Sequence, residues 1–188
     1  HGVRRIDVKS AAQMYDAVMA AVGGQHVFIG VAAVADWRVT NASDQKMKKQ
    51  DDGAAPNLQF EQNPDILASV ASTTSISGWP YCVGFAAESE NLVEYGAVKR
   101  EKKGIPLLVG NIGHHTFGQD DNTIVLFDDS GHTVLPRADK LTLARELFQT
   151  DEADSSLGLI GRTVVDLIGS DAALLLVRAD RFEIAPGI

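Results

Sequence analysis

Carboxylates that close apolar runs, and lysines gathered in an acidic chain, are the residues here whose types and spacing can do chemistry. The apolar run "HVFIGVAAV" stops at Asp36-Trp37-Arg38. A carboxylate at a strand end can hold a metal, a ribose hydroxyl or a base amino group. Its structural alternatives are a salt bridge to Arg38 or a helix cap. Beyond it come Lys46, Lys48 and Lys49. Lysines in a loop hold phosphates as point charges; the plainer alternative is a solvated basic loop. Lys99 and Lys103 stand at i and i+4, so one helix face presents both. They either meet an anion or form a solvated last turn that complements the helix dipole. Phe85, within "VGFAAES", is core or the aromatic wall of a base site.

Other chemistries lack their residues. His114 and His115 are adjacent, so they point apart, and no cysteine or His-Glu-x-x-His partner accompanies them. No metal ligand is expected. There is no Gly-x-Gly-x-x-Gly, no phosphate-binding P-loop and no Gly-x-Ser-x-Gly elbow, which weakens a dehydrogenase-type dinucleotide reading. Cys82 is the only cysteine. It allows no intramolecular disulfide and suits a reducing, cytoplasmic setting. Within "WPYCVGF" it reads as a buried, inert thiol.

The positioning elements follow from pattern. Residues 3–8 form a short strand in this reading. Ser10 caps a helix over "AAQMYDAVMAAV", stopped by Gly23-Gly24, with Met14, Val18 and Val22 as its apolar stripe. "HVFIGVAAV" is a buried parallel strand. Residues 39–57 make a long, mobile polar loop, of a length usually functional or disordered. "NLQFEQ" is a short strand, and Asn63-Pro64-Asp65 opens a helix with Pro64 at its first position. "YCVGFAAE" is a strand, 89–103 a helix with Gly104 as its stop, and "IPLLVGN" a strand. "NTIVLFDDSGHTVL" is a hairpin and "ADKLTLARELF" a helix. The order predicts an α/β fold: a Rossmann-like, mostly parallel sheet, helices on both faces, and an antiparallel hairpin at one edge. In such sheets ligands bind beyond the carboxyl ends of the strands. Asp36, Glu88 and Asn111 follow three of those ends. Residues 1–149 form the domain. After an acidic, small-residue stretch, 150–188 is an extension with a helix and one or two strands.

The chain has 188 residues and a net charge of −8. That charge argues against a general nucleic-acid partner, without excluding a local anion site. Six of the eight lysines lie between residues 46 and 103. No stretch reaches the ~18 apolar residues of a membrane span. "HGVRRIDVKS" has no apolar core, so it is not a signal peptide, and without an initiator Met it suggests a piece of a longer chain.

Six segments, "AAVADWRV", "KMKK", "NPDILASVA", "VGFAAESEN", "KREKKG" and "GN......FGQDDN", stand in an order and spacing that resemble phosphopantothenoylcysteine synthetase. This is the phosphopantothenate–cysteine ligase of coenzyme A biosynthesis, in bacteria usually the C-terminal half of a bifunctional protein. The resemblance covers residues 3–149. It implies a Rossmann-like sheet with a dimerising flap, hence a homodimer. It also implies a ligase that uses CTP and Mg²⁺ to join 4′-phosphopantothenate to L-cysteine through an acyl-cytidylate. FMN belongs only to the upstream decarboxylase domain of the parent protein.

Carried over by position, the resemblance puts backbone of Gly30, Val31 and Ala32 near the nucleotide, with Asp36 facing it. Lys46 matches the family's essential lysine, serving the triphosphate or the acyl-cytidylate; Lys48 and Lys49 complete its motif. Asn63, Pro64, Asp65 and Ile66 add contacts at a helix N-terminus, Phe85 walls the nucleotide, and Lys99 and Lys103 meet phosphates. The family's glycine-rich first strand and its Asn-x-Ser-Ser-Gly region have no counterpart here. Activity is therefore expected of the full-length parent and not of this piece alone. Ile112 stands where the family often has aspartate. The competing expectation is a non-catalytic nucleotide-binding or assembly module of the same fold.

Overall fold

Ser10 opens the first regular element. Its Oγ accepts the Gln13 N–H at 3.2 Å and caps helix α1 (Ala11–Ala21), as its residue type predicts. The computed structural model of the chain describes residues 4–42, 45, 57–77, 80–112, 120–147 and 174–177. Strand β1 (Val27–Gly30) buries Phe28 and Ile29 completely, as a strand covered on both faces must. A short antiparallel ribbon follows, β2 (Trp37–Val39) with β3 (Phe60–Gln62). Helix α2 (Ile66–Ser77), strand β4 (Tyr81–Glu88), helix α3 (Leu92–Lys103) and strand β5 (Leu107–Ile112) continue the alternation. The hairpin β6 (Asp121–Asp128) and β7 (Gly131–Asp139) turns at the expected Asp-Ser, and helix α4 (Lys140–Leu147) follows it. Strand β8 (Leu174–Val177) comes from the C-terminal region.

The main sheet has the order β7-β6-β5-β4-β1-β8. Its centre is parallel, β1 with β4 and β4 with β5. The β6–β7 hairpin adds antiparallel strands at one edge, and β8 pairs antiparallel with β1 at the other. One core, with Phe28, Val70, Leu108 and Phe127, lies under α1, α2 and α3. The other, with Ile29, Val83, Val109 and Leu126, lies under α4. Helices thus cover both faces, as the alternating sequence implies.

Three expectations are corrected. Residues 4–8 carry no strand: both neighbours of β1 are already β4 and β8, and Arg5 instead pairs in solvent with Asp7 at 2.7 Å. The strand of "HVFIGVAAV" stops at Gly30, because the Ala32 carbonyl accepts the Val34 N–H at 3.1 Å and turns the chain. Helix α2 starts at Ile66, not at Pro64. Asp65 is its cap, its Oδ1 accepting the Ala68 N–H at 3.0 Å, so Pro64 precedes the cap.

Candidate functional site

The ladder register builds a step at the carboxyl end of the sheet. Gly30, the last residue of β1, pairs with Gly84, in the middle of β4. Strand β4 runs on to Glu88, paired with Ile112 of β5. The carboxyl ends of β1 and β4 are therefore offset by four residues, about 13 Å of strand. The first turn of α2, through Leu67, and the residue just past the stop of α3, Ile105, meet over Gly84. A Cβ placed on Gly84 would lie 2.7 Å from Ile105 Cδ1 and 2.8 Å from Leu67 Cδ2. Gly30 is different: a Cβ there would make ordinary contacts, 3.6 Å to Leu67 and 3.7 Å to Phe28. Protein packing does not by itself demand glycine at the end of β1.

From that step a continuous set of contacts runs round the rim. Asn63 ties the segment after β1 to the start of α2. Its N–H donates to the Asp36 carbonyl at 2.8 Å and its Nδ2 to the Ala35 carbonyl at 2.8 Å. Its Oδ1 accepts from Arg38 at 3.2 Å, while Arg38 also pairs with Glu61 at 2.8 Å. Two residues on, Asp65 both caps α2 and forms an ion pair with Lys103, the last residue of α3. One turn back on α3, Lys99 pairs at 2.7 Å with Glu88, the last residue of β4. Burial pushes the Asp65 carboxyl up, but the Lys103 ammonium and the Ala68 N–H outweigh it and hold the group below the usual carboxylate range.

Asp36 is exposed and leads into β2 instead of ending a buried strand, which corrects the expected position. Nor does it pair with Arg38, whose guanidinium is taken by Glu61 and Asn63. Among the described residues the Asp36 carboxylate has no ion-pair partner. Ala32 and Val31 are half-buried. Val31 and Phe85 pack against the core under α4. Gly30, Asp65, Ile66 and the two lysines belong to the other face, so the expected residues divide between the two faces and meet at the step. Lys99 and Lys103 are not simply solvated: each holds a carboxylate. Lys46, Lys48, Lys49, His114 and His115 lie outside the described residues. Glu88 had no role beyond its place at a strand end. Its spacing from Lys99 offers no local signal, because the two meet through the fold.

Elsewhere, Cys82 is fully buried and burial pushes its thiol up to about 11, as expected of an inert cysteine. Among the described residues no group of three or more His, Cys, Asp or Glu could hold a metal. No described helix is long and apolar enough to cross a membrane.

A parallel centre with helices on both faces, and a polar rim at its carboxyl step, defines a Rossmann-like α/β domain. The chain belongs to the DNA/pantothenate metabolism flavoprotein C-terminal domain family, which residues 1–153 match. It is 41% identical over 150 residues to the coenzyme A biosynthesis bifunctional protein CoaBC of Vibrio vulnificus strain CMCP6, covering 78% of this chain and 37% of that protein. Against CoaBC of Escherichia coli strain K12 it is again 41% identical over 150 residues, covering 78% and 36%. The fold is similar to the crystal structure of the C-terminal domain of CoaBC, with a TM-score of 0.58 at 25% identity, covering 86% of this chain and 66% of that one. The chain thus spans little more than a third of the length of these curated relatives.

Proposed function

We propose that these residues are the ligase part of a coenzyme A biosynthesis enzyme that joins 4′-phosphopantothenate to L-cysteine at the expense of CTP. The carrying observation is the rim: Asn63 holds the Ala35 and Asp36 carbonyls, and two residues on Asp65 pairs with Lys103, one turn from the Lys99–Glu88 pair. Family membership and the CoaBC relatives support the same reading. In the proposed reaction the substrate carboxylate oxygen attacks the α-phosphorus of CTP. The bond to pyrophosphate breaks and an acyl-cytidylate forms. The cysteine amine then attacks the acyl carbon, CMP leaves, and the amine loses its proton.

The chain's contribution is to bind charge and align reactants. Gly30 lets a ligand approach β1 closely, Phe85 and Val31 offer an apolar wall, and Lys99 and Lys103 take phosphate charge. Lys46 serves the reacting phosphate or the intermediate. Mg²⁺ enters with the triphosphate as part of the substrate. Trp37, Val39, Phe60 and Gln62 share one face of the β2–β3 ribbon by register, and Trp37 and Phe60 are largely exposed. That face suits a second copy of the chain, hence a homodimer. The bifunctional relatives favour a flavin-dependent decarboxylase domain upstream in the parent.

The test is pyrophosphate release in the longest natural protein containing these residues. Release that requires CTP, L-cysteine and 4′-phosphopantothenate together is expected. A folded protein inert with all three overturns the reading. Lys46→Gln is expected to cut turnover at least about tenfold with the circular dichroism spectrum unchanged. Unaltered turnover removes Lys46 from the machinery.

A further inference from the structure

Lys99 and Lys103 present one face of α3, and a carboxylate from a different element meets each. Glu88 reaches Lys99 from the end of β4, and Asp65 reaches Lys103 from the start of α2. We infer that Glu88 and Asp65 are built-in counter-anions, which an incoming polyphosphate must displace from Lys99 and Lys103. The inference rests on the reading above that these lysines serve nucleotide phosphates.

Exposure decides whether such pairs can exchange. The Lys99 side chain is 43% exposed and that of Asp65 42%, while their partners Glu88 and Lys103 are 18% and 26% exposed. Pairs half open to water can exchange, whereas a fully buried pair would lock the lysines. Each ammonium still has N–H groups to offer. However, a phosphate oxygen taking a second N–H of Lys99 comes within about 5 Å of the Glu88 carboxylate, and like charges at that range repel. The carboxylate must swing out as the phosphate arrives. A monoanion brings no more charge than the carboxylate it replaces, so it gains little by the exchange. A di- or triphosphate brings more charge and can engage both lysines at once. The two carboxylates therefore set a threshold that admits polyphosphates and screens out single anions.

The competing role gives the opposite sign. If Glu88 and Asp65 only hold the lysines in place, removing them weakens phosphate binding. Calorimetric titration of CTP into the longest natural protein containing these residues separates the two. Four forms are compared: wild type, Glu88→Gln, Asp65→Asn, and the double variant Lys99→Met with Lys103→Met. Asparagine caps a helix as well as aspartate, so Asp65→Asn removes the charge and keeps the start of α2. Each carboxylate variant is expected to bind CTP about three- to fivefold tighter, the scale of a surface ion pair. The double lysine variant is expected to bind at least about tenfold weaker. Unchanged or weaker binding by both carboxylate variants, with weakening by the lysine variant, overturns the counter-anion role and leaves the nucleotide reading intact. Wild-type affinity in the lysine variant, or no CTP binding by any form, overturns the nucleotide reading itself.

Discussion

Asn63 holds the rim together with one short side chain. Its Nδ2, Oδ1 and backbone N–H each engage the segment 35–38, at 2.8, 3.2 and 2.8 Å. Asn63→Ala leaves the Ala35 carbonyl and one Arg38 N–H without these partners. The expected cost is about 1–2 kcal/mol, read as a lower urea midpoint at unchanged slope. The amide of residue 63 itself should exchange with solvent faster, since its bond to Asp36 is no longer backed by the side chain. Full protection in the variant would mean the backbone bond alone fixes the segment. None of this was legible locally. Asn63 and Asp65 are both good capping residues; Pro64 at the first position would make Asn63 the cap, whereas Asp65 takes that role. The partners of Asn63, and the carboxylates of Lys99 and Lys103, are distant in the chain. The residue types allowed an anion site or a solvated face, whereas their mutual pairing depends on how α2 and the end of α3 meet above Gly84.

Elements whose ends are set by local chemistry were readable in advance. Ser10 caps α1, Gly104 closes α3 in the left-handed region at φ 62°, and Asp-Ser turns the hairpin. Features set by the wider fold were not: β1 stops at the Ala32–Val34 turn while β4 runs on, and residues 4–8 join no described strand. Gly96, inside α3, belongs to the second kind. Helix propensity alone would favour alanine there by about 1 kcal/mol. Yet a Cβ at Gly96 would lie 2.4 Å from Phe127 Cζ, on a ring of β6 that is only 1% exposed, so the ring or the helix must shift. Gly96→Ala is therefore expected to destabilise by about 1–3 kcal/mol, despite the better propensity. Chemical denaturation decides the sign. A more stable variant would show that α3 can lift off the sheet, and with it the lysines that α3 carries to the rim.

At the scale of the molecule, buried and paired ionisable groups shape stability against pH from both sides. On the acid side, the Arg137 guanidinium holds Asp121 below its ordinary range, the Ser130 hydroxyl does the same for Asp128, and Lys103 with the Ala68 N–H does so for Asp65 against burial. Each contributes stability that is full above the unfolded carboxylate value of about 4 and is lost as pH falls through the lower folded value. On the alkaline side, burial raises both Tyr81 and Cys82, the thiol to about 11. The unfolded thiol ionises near pH 8.5–9 (about its ordinary value) while the folded one stays protonated, so stability is full below that pH and declines as pH climbs towards the folded value. The melting temperature should therefore form a plateau between about pH 5 and 8, with a fall on each side. Cys82→Ala separates the limbs. It is expected to lower the plateau slightly, because it empties a fully buried position, and to make the alkaline fall shallower while the acid limb is unchanged. The same burial predicts that an aromatic disulfide reagent labels the native thiol at pH 8 only as fast as the protein opens, with full labelling in denaturant. An alkaline limb as steep in the alanine variant as in the wild type would assign that limb to Tyr81 instead, whose phenol is also held up by Asp128 and Asp129.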